Sequence, residues 1–169
     1  IICHESLSII DLKSGKQPIQ GTNKAWMVHD GEIYNYQELK DTVLKEHTFR
    51  TKSDSEVIVH LYEEFGYKFC NMLDGDFAFV IIDGDNYIAA RDAVGVKPLY
   101  YGLDERGRIY FSSEMKSIAD QCKSFSTFPP GHYYTGKTGF VKYYNPDYED
   151  HANANKSLDL DLVRESLIQ

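Results

Sequence analysis

Short apolar, β-rich stretches open the chain. Leu7 to Ile10 and Trp26 to Val28, separated by a turn-forming Lys-Ser-Gly-Lys run, predict two strands joined by a loop. After Asn35 the spacing widens, with Leu39, Val43 and Leu44 falling at helical intervals, so a short helix is predicted over Tyr36 to Leu44. A clearer helix starts at Ser53, where Ser53 and Glu56 match an S-x-x-E capping box. Val57, Ile58, Leu61, Tyr62 and Phe65 form its apolar stripe, and Gly66 supplies a C-cap.

From Asp76 the pattern changes. Phe77 to Ile82 is a continuous apolar run of strand length, which suits a strand covered on both faces. Tyr87 to Ala90, Leu99 to Leu103 and Arg108 to Ser112 follow as the strands of a meander, and Glu114 to Asp120 reads as a helix capped by Ser112 or Ser113. Pro129-Pro130-Gly131 turns the chain into a strand at His132 to Thr135, and Phe140 to Tyr144 forms its hairpin partner. Beyond Pro146 the sequence is polar and irregular until Leu158, Leu162 and Leu167 outline an amphipathic helix, read as leading into a second domain. Helices and strands come in blocks rather than in βα alternation, so the class is α+β and a Rossmann fold is disfavoured.

Composition narrows the function classes. The 169 residues, 42% hydrophobic, suffice for one sizeable core. A net charge of -8 without a basic cluster offers a phosphate backbone little to hold, which argues against nucleic acid. Three dispersed cysteines, Cys3, Cys70 and Cys122, suggest neither a disulfide framework nor a thiolate metal site, and a reducing, cytoplasmic setting is expected. No apolar run reaches the ~18 residues of a membrane span.

Three segments could carry chemistry, each with a plainer reading beside it. In HDGEIYN, residues 29–35, Asp30-Gly31 reads as a turn whose backbone N–H groups could face an anion, or as a turn used only for its geometry. In KSDSE, residues 52–56, Asp54 in the first helical turn could hold a substrate ammonium, or merely cap the helix. RDAVGVKPLYYG, residues 91–102, suggests a rigid loop packed beside a site, or a structural Arg-Asp bridge. His4, His29, His60 and His132 show no ligand spacing and are read as packing or surface residues, so no metal is expected. None of the cysteines has local signs of a lowered pKa.

Taken in order, HExLSII, QPI, xGEIYN, SDSEVI, LDGDFAF, RDxxGxKPLYY, SSEMK and PPGHY span His4 to Tyr144. Together they resemble the glutaminase domain of the asparagine synthetase family, within the class II glutamine amidotransferases. The resemblance implies a four-layer αββα sandwich of the N-terminal nucleophile hydrolase type, with its first strands missing from this chain. It implies hydrolysis of L-glutamine by an N-terminal Cys whose own α-amino group is the base. The ammonia then serves ATP-dependent amidation of aspartate. Residues 1–145 would form the glutaminase domain, and 146–169 the linker and first helix toward the C-terminal synthetase domain of the same polypeptide, its expected partner beside a second copy in a homodimer. The family pattern puts the glutamine-binding strand at Ser6, Leu7, Ser8, Ile9 and Ile10, the oxyanion turn at Asp30 and Gly31 with Glu32 beside it, and the substrate-ammonium carboxylate at Asp54. No SGGxDS pyrophosphate loop occurs, so no cofactor is expected in this chain, and ATP and Mg are expected for the synthetase domain.

Three departures from the family pattern bear on activity. The Met-Cys-Gly-Ile start is absent, so this chain alone is expected to lack its catalytic nucleophile and to be inactive. Ser6 replaces an Arg that clamps the glutamine α-carboxylate, a bidentate contact one hydroxyl cannot reproduce. Asp30 replaces an Asn whose amide donates to the oxyanion, whereas an ionised carboxylate only accepts, and the expected penalty is ~3 kcal/mol or more. Two readings stay open: the glutaminase half of an asparagine synthetase, and a non-catalytic glutaminase-like module for binding or regulation. Glutamine phosphoribosyl amidotransferase and glucosamine-6-phosphate synthase are more distant enzyme alternatives, and the GEIYN and SSEMK segments argue against both.

Overall fold

The computed structural model describes residues 1, 2, 4, 16–146 and 159–168. The strand expected at 7–10, including site candidates Ser6, Leu7, Ser8, Ile9 and Ile10, lies outside these residues. Among the described residues the chain runs β1 (Ile19–Gln20), β2 (Trp26–Ile33), α1 (Tyr36–Asp41), α2 (Glu56–Phe65) and a 3₁₀ segment (Gly66–Met72). Then come β3 (Gly75–Asp83), β4 (Asn86–Arg91), β5 (Tyr100–Leu103), β6 (Ile109–Ser112), α3 (Lys116–Ala119), β7 (Ser124–Thr127), β8 (His132–Thr135), β9 (Gly139–Lys142) and α4 (Leu160–Ile168).

The strands form two antiparallel sheets, a larger one in the order β1-β2-β3-β4-β8-β9 and a smaller one in the order β6-β5-β7. The expected meander is therefore broken between β4 and β5, where the chain leaves one sheet for the other and Pro98 precedes β5. β3 occupies the middle of the larger sheet and is covered on both faces, as its unbroken apolar run predicts. Phe77, Phe79 and Ile81 pack toward α2 and the 3₁₀ segment, while Ala78 and Val80 face the second sheet.

On the far side of the second sheet sits α3. Tyr101 packs in the aromatic core between the sheets, so its neighbour Gly102 faces away, where an added Cβ would lie 2.6 Å from Cys122 Sγ. The layers are thus helix, sheet, sheet and helix, with α3 packed on all three strands of the smaller sheet. This is the expected four-layer α+β arrangement.

Local readings shift in instructive ways. α2 starts at Glu56 rather than Ser53, and the capping box does not form: Ser53 Oγ accepts from the Ser55 N–H at 3.2 Å, while the Glu56 carboxylate accepts from the N–H groups of Arg50 and Thr51 at 2.8 and 2.7 Å. The loop before α2 folds over the helix start and captures that carboxylate. The helix is buried from Glu56 to Tyr62, all round rather than along one stripe, and Phe65 is exposed. Gly66 ends it as expected, with its N–H on Tyr62 O. α1 stops at Asp41, so Val43 is exposed while Leu44 is buried.

Candidate functional site

The site is assembled on one edge of β2. In a strand, successive N–H groups point to opposite sides, and the described contacts fix which residues point outward. Gly21 N–H binds Ala25 O on the β1 side, whereas Tyr34 N–H reaches Asp74 O at 2.7 Å, continuing the β3 side. Odd-numbered residues therefore direct their peptide groups away from β3. β1 is only two residues long and pairs with Met27 and Trp26, so among the described residues no strand pairs with 29–33 on that edge.

Side chains close that edge at either end. The Gln17 carboxamide takes the His29 N–H at 2.5 Å and donates to His29 O at 2.7 Å, imitating the peptide of a neighbouring strand. Four residues on, the Ile33 N–H donates to Asp54 Oδ2 at 2.8 Å. The Gly31 N–H projects from the same edge between them. Asp30 and Gly31 are thus not in the turn the sequence suggested but within β2, paired with Ala78 and Phe77 of β3. Gly31 has a φ of 138°, and an added Cβ would stand 1.9 Å from the Asp76 carbonyl oxygen, so only glycine fits there.

Asp54 lies in the turn before α2 rather than in its first helical turn, and it is 6% exposed. Besides Ile33, its described partner is the Ser53 hydroxyl at 3.4 Å. Both partners are neutral. Asp54 acts electrostatically on the ring of His29, which is 2% exposed and has its Nδ1 2.8 Å from Ser55 Oγ. Burial lowers the His29 pKa to about 4; Asp54 pulls it upward, while His4 and Lys97 lower it further. His29 is therefore neutral near pH 7, and the hydrogen-bond partners described for the Asp54 carboxylate include no cation. A buried carboxylate with neutral donors calls for a cation.

The other face of β2 carries Asp30, which meets Lys97, with Nζ 3.8 Å from Asp30 Oδ1. Lys97 stands on the rigid loop that the RDAVGVKP segment predicted. The Arg-Asp pair does not act as a simple bridge there, because each partner engages backbone: Asp92 Oδ1 accepts from Val94, Gly95 and Val96, Oδ2 accepts from Lys97, and Arg91 donates to the carbonyls of Lys97, Gly95 and Phe128. Glu32 lies on the same face of β2 as Asp30 and is exposed.

The sequence reading missed Gln17, His29, Ser55 and Lys97, whose roles arise from contacts far apart in the chain. It also treated the histidines as scattered, yet His60 packs against His47, their Nδ1 atoms 3.2 Å apart, and lies 3.5 Å from Glu56. His132 is local, its Nδ1 2.7 Å from Pro130 O. Neither described thiol is activated, since burial pushes Cys70 and Cys122 upward. No helix among the described residues is long and apolar enough to cross a membrane.

Residues 1–142 match the glutamine amidotransferase domain family. Similar proteins include an asparagine synthetase [glutamine-hydrolyzing] 2 of Oryza sativa subsp. japonica, 51% identical over 87% of this chain and 25% of its own length. An asparagine synthetase [glutamine-hydrolyzing] of Zea mays is 52% identical over 87% of this chain and 26% of its own. The chain spans about a quarter of the length of these relatives. Among solved structures, the glutamine phosphoribosylpyrophosphate amidotransferase of B. subtilis superposes with a TM-score of 0.64 at 24% identity, covering 77% of this chain and 32% of that one, which is a likeness of fold.

Proposed function

This chain belongs to the glutamine amidotransferase domain family, and from that premise we propose that it is the glutaminase part of a glutamine-hydrolysing asparagine synthetase. The observation that carries this reading is the pairing, on one strand edge, of a buried carboxylate whose described hydrogen-bond partners are neutral with an outward N–H. Asp54 would take the α-ammonium of L-glutamine, and the Gly31 N–H would meet the oxygen of its side-chain amide. Glu32 and Asp30 would border the bound amino acid, and residues 6–10 would form its other wall.

Chemically, a thiol adds to the amide carbon, the carbonyl π pair moves onto oxygen and returns as the C–N bond breaks, ammonia leaves with the thiol's proton, and water then cleaves the thioester to glutamate and restores the thiol. Upward-shifted Cys70 and Cys122 are unsuited to that attack. The nucleophile would be an N-terminal cysteine outside this chain, so the chain alone would be inactive. ATP and Mg would serve a synthetase segment likewise outside it, with residues 1–145 as the glutaminase domain, 146–169 as the approach to that segment, and a homodimer as the assembly. The free thiols of Cys70 and Cys122 suit a cytoplasmic setting.

Asp30 favours a second reading, in which the module binds glutamine without hydrolysing it. The test is release of glutamate and ammonia from L-glutamine by the full-length polypeptide, beside an Asp30→Asn variant. Equimolar glutamate and ammonia from the parent support the enzyme. Glutamine binding without turnover in either protein supports the second reading.

A further inference from the structure

Asp30 presents a difficulty that the neighbouring loop resolves. As negative charge develops on the substrate oxygen near Gly31, an ionised carboxylate one residue away would oppose it. We infer that Lys97 supplies the positive charge at this position and that Asp30 anchors it, the ion pair replacing a neutral amide donor. The inference rests on the reading of the β2 edge as the glutamine site.

Three observations carry it. Lys97 Nζ lies 3.8 Å from Asp30 Oδ1, with the two side chains 32% and 46% exposed, so the pair borders solvent and is open to a ligand. Such a pair adds little to stability. The loop beneath it is nevertheless fixed with care: Asp92 holds the Lys97 N–H at 3.0 Å and Arg91 holds its carbonyl at 2.6 Å, while Gly95, at φ 78°, leaves room for the Arg91 guanidinium, which lies 3.0 Å from where a Cβ would stand. The backbone of Lys97 is thus held through both its N–H and its carbonyl, which fixes the point from which its side chain reaches Asp30. That ammonium has three N–H donors and, at 3.8 Å, pairs with Asp30 by charge rather than by a hydrogen bond. The Lys97 charge stabilises the oxyanion while the π pair resides on oxygen and no longer acts on it when the carbonyl re-forms and ammonia departs.

The test measures kcat and KM for glutamine, with melting temperature, in the full-length polypeptide and its Lys97→Met, Lys97→Arg, Asp30→Asn, Asp30→Asn/Lys97→Met and Asp54→Asn variants. Lys97→Met should lower kcat by ~10²-fold with KM changed only a few-fold, and Lys97→Arg should restore most of it. In the Asp30→Asn background the loss from Lys97→Met should shrink below about ten-fold, because the new amide donates and the opposing charge is gone. An unchanged kcat in Lys97→Met, an equal loss in both backgrounds, or a silent parent revived by Asp30→Asn would overturn the inference. If Lys97→Met has no effect while Asp54→Asn raises KM, the role of Lys97 fails and the glutamine site stands. Glutamine binding without turnover in both the parent and Asp30→Asn overturns the inference and leaves the site standing as a binding site; if Asp54→Asn leaves KM unchanged as well, or neither protein binds glutamine, the site reading itself fails.

Discussion

The two faces of β3 are packed by different means. Toward the second sheet, Ala78 and Ala89 give space to rings: Phe128 meets Phe111, Tyr101 and Phe140 at centroid separations of 6.1, 6.3 and 5.0 Å, and no charged side chain belongs to this cluster of described residues. Toward α2, Phe77 and Phe79 sit beside buried polar groups, among them His29, Ser53, Asp54, Ser55, Glu56 and His60. One face gains its stability from apolar area and ring geometry. The other accepts the cost of burying polar groups and keeps a carboxylate without a described cation. A neutral acceptor would serve the Ile33 N–H as well as that carboxylate does, so the contrast marks the polar face as the one on which to look for a ligand.

The largest effect should come from the aromatic face. Phe128→Ala removes a fully buried ring and should cost about 3–5 kcal/mol by chemical denaturation, with the glutamine KM of the folded protein unchanged. A changed KM at full stability would break the division between the faces.

Acid should act on the polar face instead. Unfolded His29 takes a proton near 6.5 whereas folded His29 resists until about 4, so the unfolded state binds more protons between these values and stability falls as pH drops through them. The loss should be on the order of 3 kcal/mol, and His29→Gln should flatten the stability curve in that window.

Glu56 should act lower still. Burial would raise it, but the His60 ring, the Arg50 N–H and the Thr51 N–H and hydroxyl outweigh burial and bring its carboxyl down to about 2 from 4.5. Its contribution is complete above 4.5 and is lost as pH falls through 2, on the order of 2–3 kcal/mol. Glu56→Gln should remove this lower step and leave the His29 step in place; loss of both steps together would show that the two groups titrate as one.

The sequence revealed the scaffold more readily than the site. β3 and β8 were legible because an apolar run and a Pro-Pro-Gly turn are local signals. β7, residues 124–127, escaped notice because every position is exposed and it is held as an edge strand by backbone pairing to β5. The Asp30-Gly31 dipeptide looked like a turn because its residues disfavour strands, yet the close approach of the Asp76 carbonyl makes glycine necessary within the ladder. Asp54 was visible through its motif, although its neighbours suggested a capping box that the folded loop replaces. Lys97 meets Asp30 across 67 positions of sequence and Gln17 meets His29 across 12, and both reach the edge only through tertiary folding. No local pattern marks such contacts.

The central claim is that Asp54, buried among neutral described hydrogen-bond partners, receives the ammonium of glutamine, and Asp54→Asn in the full-length polypeptide tests it most directly. The amide oxygen can still accept the Ile33 N–H, so melting temperature should hold while KM for glutamine rises ~10–10²-fold, the worth of one charge-assisted contact, with kcat changed only a few-fold. An unchanged KM in a folded, active variant would contradict the claim and return Asp54 to the role of a structural support for Ile33.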